Sequence, residues 1–224
     1  MPRTARVIVP HCPHHVVQRG HNRNAVFITD EDYEYYLSTL IEWKYELQVR
    51  VYAFCLMTNH VHLVLDPGER VDSIGLLMKR LAGRQTRYVN KKEGRTGSLW
   101  DGRYKVSAID TESYLMRCCR YVELNPVKAR MVASAEDYRW SSYQVKIGRG
   151  GFDWVDFDQC YLGLGNSAHS YQAFVESGVP SDEQAFIQTT LNRNQLTGDQ
   201  RFVDEIERRI GIRVEARQPG RPRK

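Results

Sequence analysis

The sequence predicts an α+β protein whose first half is a ferredoxin-like βαββαβ sandwich, a sheet with helices on one face. Two β-branched and aromatic runs, 49–57 and 60–66, are separated by a two-residue turn and indicate a β-hairpin. Two segments with apolar residues at helical spacing, about 31–47 and 71–92, stand on either side of that hairpin. A strand before the first helix and another after the second complete the pattern.

The first strand and the first helix have clear local signals. His14–Arg19 has the composition of a short strand, and Gly20 closes it. Thr29 is a candidate N-cap, and Asp32 stands at the capping-box position three residues later. The first helix should therefore begin near residue 31.

The second half of the sandwich follows from the same kinds of signal. The apolar stripe of the second helix consists of Ile74, Leu77, Leu81 and Tyr88. Residues 98–109 have strand-like composition, with a bend expected at Gly102. A third helix is expected to begin at Asp110 or Thr111 and to end at Pro126, because proline cannot continue a helix.

Composition divides the chain into three parts. Residues 1–145 are predicted to form the main domain, 146–212 an extension of short helices, and 213–224 a basic disordered tail. The extension helices are expected near 170–177, 182–192 and 200–210. Four large aromatic residues after the third helix are expected to pack back onto the domain: Tyr138, Trp140, Tyr143 and Trp154.

The charge and cysteine content narrow the class of protein. The 224 residues carry a formal net charge of +5, which permits a nucleic-acid partner without requiring one. Five cysteines without a CxxC pair indicate a reduced chain with neither a disulfide framework nor a zinc knuckle. The sequence has no apolar run of membrane-spanning length and no signal-peptide core, so a cytoplasmic location without a membrane partner is expected.

The most specific chemical signal is the sequence His60-Val61-His62 inside a predicted strand. Side chains alternate along a strand, so both imidazoles point to the same face, about 6–7 Å apart along the chain. Two such imidazoles can bind one metal ion. Alternatively, the two histidines only pack and form hydrogen bonds.

The third predicted helix supplies a candidate nucleophile. Tyr121 and Asn125 are four residues apart and share one helical face. A tyrosine can attack a phosphate if its phenol is free, and a nearby amide can add an oxygen ligand to a metal ion. The alternative remains that Tyr121 belongs to the core and that Asn125 caps the helix before Pro126.

Positive charge is concentrated in three places. Residues 79–95 carry seven cations and one anion, and four of the cations share one face of the second helix: Arg80, Arg84, Arg87 and Lys91. The fourth strand adds Arg103 and Lys105. The tail ends in Gly-Arg-Pro-Arg-Lys, in which Arg221 and Arg223 are candidate contacts to DNA in the minor groove or to its phosphates. The alternative for the helix stripe is a solvated helix face.

Taken together, these motifs resemble one family. The strand MTNHVHLVL, the Trp-x-Gly-Arg sequence at 100–103 and the helix end RYVELNPVKAR are similar to the one-tyrosine HUH transposases, in particular to REP-associated tyrosine transposases. The resemblance covers about 14–140. It implies that His60 and His62 are the paired histidines, that Tyr121 is the nucleophile, and that Asn125 is the third metal ligand.

The resemblance also implies an activity. The expected enzyme is a Mg²⁺- or Mn²⁺-dependent transposase that cleaves single-stranded or hairpin DNA through a 5′-phosphotyrosine intermediate. It would act as a monomer or homodimer on the bacterial nucleoid. A domesticated DNA-binding regulator of repeated hairpins, with the same fold, is the alternative.

Two other classes fit the residues less well. An RNA-recognition module needs aromatic residues on its central strands, where this sequence has His60 and His62. A histidine-triad nucleotide hydrolase needs a third histidine at the position occupied by Val64.

Overall fold

The computed structural model describes residues 6–164 and 168–214, apart from the side chain of Ser113. A four-stranded antiparallel sheet forms its centre, with the strand order β2-β3-β1-β4. The strands are β1 (His14–Arg19), β2 (Arg50–Met57), β3 (His60–Asp66) and β4 (Lys105–Ala108). Together with the element order, this arrangement confirms the predicted ferredoxin-like fold class.

Nine helices occur among the described residues. They are α1 (Asp30–Glu46), α2 (Ser73–Glu93), α3 (Thr111–Glu123), α4 (Asn125–Lys128), α5 (Tyr143–Lys146), α6 (Gln159–Gly163), α7 (Ala168–Glu176), α8 (Ser181–Arg193) and α9 (Gln200–Ile210). None of the described helices is both long and apolar enough to cross a lipid bilayer.

Strand register decides which side chains meet on each face of the sheet. His62 of β3 lies opposite Val17 of β1 and Cys55 of β2. Because side chains alternate, His15 and Arg19 of β1 share the face that carries His62. The sheet thereby places the end of β1 beside the paired histidines of β3.

The first helix begins as its sequence predicts. The Asp32 carboxylate accepts hydrogen bonds from the backbone N–H groups of Ile28 and Thr29, at 2.7 and 2.9 Å. Lys92 of α2 also donates to Asp32, at 2.6 Å. The capping box therefore fixes the start of α1 and also ties α1 to α2.

Two predicted element boundaries were wrong. The fourth strand is regular only over Lys105–Ala108, because the chain bends at Gly102, whose φ of +111° is far from a strand conformation. Helix α3 ends at Glu123, before Pro126. Proline is compatible with the first turn of a helix, and Pro126 lies in the first turn of α4.

The residues after α4 cover both edges of the sheet. Ser142 donates its backbone N–H to the Phe54 carbonyl at 2.9 Å, on the open edge of β2. Thr197 pairs with Ile109 just beyond β4 on the other edge. The four aromatic residues expected to pack back onto the domain are all buried.

The predicted division of the chain at residue 145 stays a prediction. The predicted disordered tail from residue 213 lies almost wholly outside the described residues.

Candidate functional site

The two strand histidines form a pair at the end of β3. The ring centroids of His60 and His62 are 5.0 Å apart, and the ring planes are inclined at 67°. His62 is buried, while His60 is partly exposed. The structure therefore brings the two imidazoles together on one face of the sheet, as the alternation of the strand predicts.

Each histidine has one ring nitrogen occupied by a neighbour. Nδ1 of His60 is 2.6 Å from Oδ1 of Asn59, and Nδ1 of His62 is 2.9 Å from Nε2 of His15. In the tautomer whose Nδ1 carries the proton, this hydrogen bond orients the ring and leaves Nε2 available as a ligand. A metal-binding histidine usually has this arrangement, with its second nitrogen bonded to a polar partner.

Burial keeps both imidazoles neutral. It lowers the pKa of His60 to about 4, with a smaller contribution from the positive charge of Arg19. It also lowers the pKa of His62 well below the usual range, and the neighbouring His15 and His60 add to the effect. Neutral imidazole is the form that binds metal ions, so the pair is ready for a cation at neutral pH.

Tyr121 of α3 lies against this pair. Its ring centroid is 6.0 Å from that of His62 and 5.7 Å from that of His15. Burial, and to a smaller extent Cys118, raises the pKa of the Tyr121 phenol, while Arg19 lowers it. The ring is mostly buried, but the residue lines a pocket, so the phenol borders open space beside the histidines.

Asn125 follows one helical turn after Tyr121 and borders the same pocket. Its side-chain Nδ2 donates to the carbonyl oxygens of Tyr121 and Val122, at 2.9 and 3.2 Å. Because the amide nitrogen caps the end of α3, the amide oxygen Oδ1 is left free to act as a ligand.

These residues make a plausible metal-binding set by their chemistry. His60 and His62 offer two imidazole nitrogens and Asn125 an amide oxygen, and all three residues line the pocket. Within the described residues, no group of three or more His, Cys, Asp or Glu side chains could hold a metal ion. A cation in this pocket would therefore have neutral ligands and keep its full charge toward an anion.

The pocket has a volume of about 670 Å³ and is rich in cationic side chains. Arg103 and Lys105, both predicted from the sequence, line it together with Arg19 and Arg23. Helix α8 forms another part of the wall. Such a pocket suits a polyanion that must approach Tyr121.

The basic stripe of α2 lies elsewhere. Arg80 and Arg84 stack over the ring of Trp43 in α1, with guanidinium carbons 4.3 and 5.5 Å from the ring centroid. Arg84 also forms a two-pronged ion pair with Glu42. None of the four stripe residues is among those that line the pocket. Their assignment to DNA binding stays a prediction, and Arg221 and Arg223 lie outside the described residues.

Several residues that line the pocket or contact His62 and Tyr121 were missed from the sequence. His15 and Arg19 could have been found, because they alternate along β1 and would share a face with His62 if β1 paired with β3. Lys128, whose Nζ lies 4.7 Å from the centroid of the Tyr121 ring, follows Tyr121 by seven residues and was not singled out within the sequence RYVELNPVKAR. Gln188 and Asn192 of α8 gave no signal at all.

Comparison with known proteins gives three findings. The family model described as "Transposase IS200 like" matches residues 8–125, more than half of the chain. A Haemophilus influenzae protein described as a REP-associated tyrosine transposase is 24% identical over 104 residues. That match covers 42% of this chain and 59% of the relative, so the chain matches less than two thirds of the relative's length.

A solved structure shares the fold. It is the structure of a REP-associated tyrosine transposase bound to a REP hairpin, with a TM-score of 0.59 and 18% sequence identity. The match covers 70% of this chain and 92% of the other. The fold likeness extends beyond the region matched by the family model.

Proposed function

This chain belongs to the family of IS200-like transposases, and we propose that it is a metal-dependent single-strand DNA endonuclease and strand transferase that uses Tyr121 as its nucleophile. The observation that carries the proposal is the placement of Tyr121. Its ring lies 6.0 Å from that of His62, next to the histidine pair and inside a cationic pocket. A single chain thus contains both the proposed nucleophile and the histidine pair.

The metal site of this proposal consists of His60, His62 and Asn125. The free Nε2 nitrogens of the two histidines and the free Oδ1 of Asn125 support it. A bound Mg²⁺ or Mn²⁺ would supply Lewis-acid polarisation of the scissile phosphate. Nitrogen ligands favour Mn²⁺ over Mg²⁺, which prefers oxygen, so Mn²⁺ should support activity at least as well.

Tyr121 performs the covalent step. Its phenol oxygen forms a bond to phosphorus, and the bond between phosphorus and the 3′-oxygen breaks. The phenol proton ends on that oxygen, so the products are a 5′-phosphotyrosine and a free 3′-hydroxyl. The new phosphodiester keeps the energy of the old one, and rejoining needs no nucleotide triphosphate.

Cations around Tyr121 offset the charge that develops during this step. Arg19 lowers the pKa of the phenol and thereby favours its deprotonated form. Lys128 lies over the ring, with Nζ 4.7 Å from the centroid. Arg103 and Lys105 line the same pocket and would contact the DNA backbone near the cleaved bond.

The proposed substrate is single-stranded DNA next to a hairpin. The solved transposase with the same fold is bound to a REP hairpin, and the curated relative is described as REP-associated. A hairpin supplies a fixed duplex end, so the single strand beside it can enter a pocket that contains Tyr121. The location that this proposal implies is the nucleoid of the cell.

The decisive test is a covalent adduct. Labelled single-stranded hairpins from the DNA that flanks the gene are incubated with the protein and Mn²⁺, then separated on a denaturing gel. Wild type should form a protein–DNA adduct that EDTA prevents. Tyr121→Phe keeps the ring packing and removes only the attacking oxygen, so it should bind DNA and form no adduct.

Two other tyrosines serve as matched controls. Tyr104 and Tyr114 are also close to the domain's sheet and α3, and their Phe variants should still form the adduct. An adduct with Tyr121→Phe, or its loss in Tyr104→Phe or Tyr114→Phe alone, would show that the nucleophile is a different residue.

A further inference from the structure

One wall of the Tyr121 pocket comes from outside the family-matched region. Gln188 and Asn192 of α8 line the pocket, whereas the family model matches only residues 8–125. The two residues are four apart and share one face of the helix. Helix α8 therefore presents two uncharged amides to the space in which DNA would be cleaved.

Helix α8 is held firmly against the sheet. The residues that follow it continue along the edge of β4: Asn194 Oδ1 accepts from the Val106 backbone N–H at 3.1 Å, and Ser107 Oγ donates to the Gln195 carbonyl at 2.5 Å. Thr197 hydrogen bonds to both Ser107 and Thr190 of α8. A helix fixed in this way can hold side chains at defined positions relative to a substrate.

The other end of α8 is anchored to the helix of the nucleophile. Glu183 accepts a hydrogen bond from Arg120 at 2.8 Å, and both side chains are less than a tenth exposed. Arg120 immediately precedes Tyr121. Helix α8 is thus attached to β4 at one end and to α3 at the other, and it spans the pocket between them.

The hydrogen-bonding state of the two amides leaves groups free for a ligand. Asn192 Oδ1 accepts from Lys105 Nζ at 2.7 Å, so its Nδ2 remains as a donor. The side chain of Gln188 is exposed and forms no hydrogen bond to another residue in the described part of the chain. Neutral amides offer the donor–acceptor pattern of a base edge, whereas phosphates are usually bound by cations.

We propose that Gln188 and Asn192 read the bases of the single strand beside the cleaved phosphate, so that α8 is a specificity element of the transposase. The proposal rests on the proposed function, which brings that strand into the pocket. The cationic side chains of the pocket hold the backbone, and the two amides of α8 select the sequence. Discrimination by a well-placed amide is of the order of 5- to 100-fold per base.

A binding selection tests the proposal without cleavage. Hairpins from the DNA that flanks the gene, with their single-stranded segments randomised, are selected for binding in EDTA and sequenced. Wild type should enrich particular bases at one or two positions beside the hairpin. Gln188→Ala and Asn192→Ala should each lose the preference at one position while the affinity averaged over the pool changes little.

The control variant is Thr189→Ala. Thr189 is exposed on the same helix but does not line the pocket, so this variant should keep the wild-type preference. Absence of any base preference in wild type overturns the proposal. So does an unchanged preference in both amide variants, or a uniform loss of affinity with a flatter salt dependence, which would indicate phosphate contacts instead.

The binding selection tests base reading by α8 and the adduct assay tests cleavage by Tyr121, so either proposal can be contradicted without the other. If wild type forms no adduct but the amide variants lose base preference, the cleavage mechanism is wrong and the assignment of α8 to base reading stands. If wild type forms the adduct and the amide variants keep the base preference, the cleavage mechanism stands and the assignment of α8 to base reading is wrong.

Discussion

The buried ion pair that attaches α3 to α5 offers a quantitative test of how Tyr121, the proposed nucleophile, is positioned. Glu123 lies two residues after Tyr121 and is 0% exposed, and Lys146 is 2% exposed. Lys146 Nζ is 3.1 Å from Glu123 Oε1. Burial alone lowers the pKa of Lys146, but Cys119 and Glu123 raise it above its usual value, so Lys146 keeps its positive charge at neutral pH.

Glu123 and Lys146 keep different hydrogen-bond partners when the other residue of the ion pair is replaced. The Glu123 carboxylate also accepts from Ser142 Oγ and Tyr171 Oη, both at 2.5 Å, so it keeps two donors in Lys146→Met. In Glu123→Leu the ammonium loses the carboxylate it contacts and keeps Tyr171 Oη, at 3.1 Å, together with the Cys119 thiol and the weaker influence of Asp158. Breaking a buried pair costs about 3–5 kcal/mol. We expect Glu123→Leu at the upper end of that range and Lys146→Met at the lower end.

The double variant should be more stable than additivity predicts. With both charges replaced by apolar side chains, no unpaired charge is buried, so Glu123→Leu with Lys146→Met should cost no more than Glu123→Leu alone. The coupling energy would then be at least about 3 kcal/mol, the cost of Lys146→Met alone. Urea unfolding followed by circular dichroism measures it, and the single variants should lower the midpoint by about 1–2 M.

Additive single and double variants would refute this account of the pair. If Glu123→Leu does not fold, Glu123→Gln provides the milder comparison, because it keeps the shape and removes the charge. Any variant that folds but has lost the adduct would show that the network also sets the position of Tyr121 through α3.

Three other predictions concern the pocket itself. Replacing His60 or His62 with Ala should abolish metal-dependent cleavage. Asn125→Ala should reduce cleavage less, because an amide oxygen is a weaker metal ligand than an imidazole. Wild-type cleavage that survives EDTA would contradict the metal-binding role of all three residues. His15→Phe removes the partner of His62 Nδ1 and should reduce Mn²⁺ affinity about 10- to 100-fold in calorimetry, whereas an unchanged affinity would mean that His15 only packs. Arg103→Ala and Lys105→Ala should each flatten the log–log salt dependence of single-strand binding by about 0.7, while Arg139→Ala, paired with Asp30 away from the pocket, should not.

Local signals in the sequence predicted the elements of the first half of the chain. The alternation at 60–66 and the capping box at Thr29 depend only on residues close in sequence, and both were found as expected. The exceptions were also local. The chain bends at Gly102 as expected, but the fourth strand is regular only after the bend, and Pro126 begins a new turn rather than ending an old one.

The pocket needed information that no local pattern contains. The contact of His15 with His62 depends on the register between β1 and β3, which is set by the packing of the whole sheet. The position of α8 depends on hydrogen bonds between residues 87 or 88 apart, such as those from Lys105 to Asn192 and from Ser107 to Gln195.

For the basic stripe of α2, a local pattern was present but did not show what the stripe contacts. Its spacing predicted a shared face correctly, but spacing alone does not show that Arg80 and Arg84 lie against α1.

The two interpretations of Asn125, as a helix cap and as a ligand, turn out to be compatible. Its Nδ2 donates to the carbonyls of Tyr121 and Val122, which would otherwise lack partners at the end of α3. These two bonds leave Oδ1 as the atom available to a cation. An aspartate at this position would be a stronger ligand but could not donate to either carbonyl, and its charge would oppose the negative end of the helix dipole. An amide meets both requirements at once, because its donor and its acceptor are separate atoms on one short side chain. The same bonds couple the proposed ligand to the backbone of the proposed nucleophile, so a change that moves Tyr121 should also move the oxygen of Asn125.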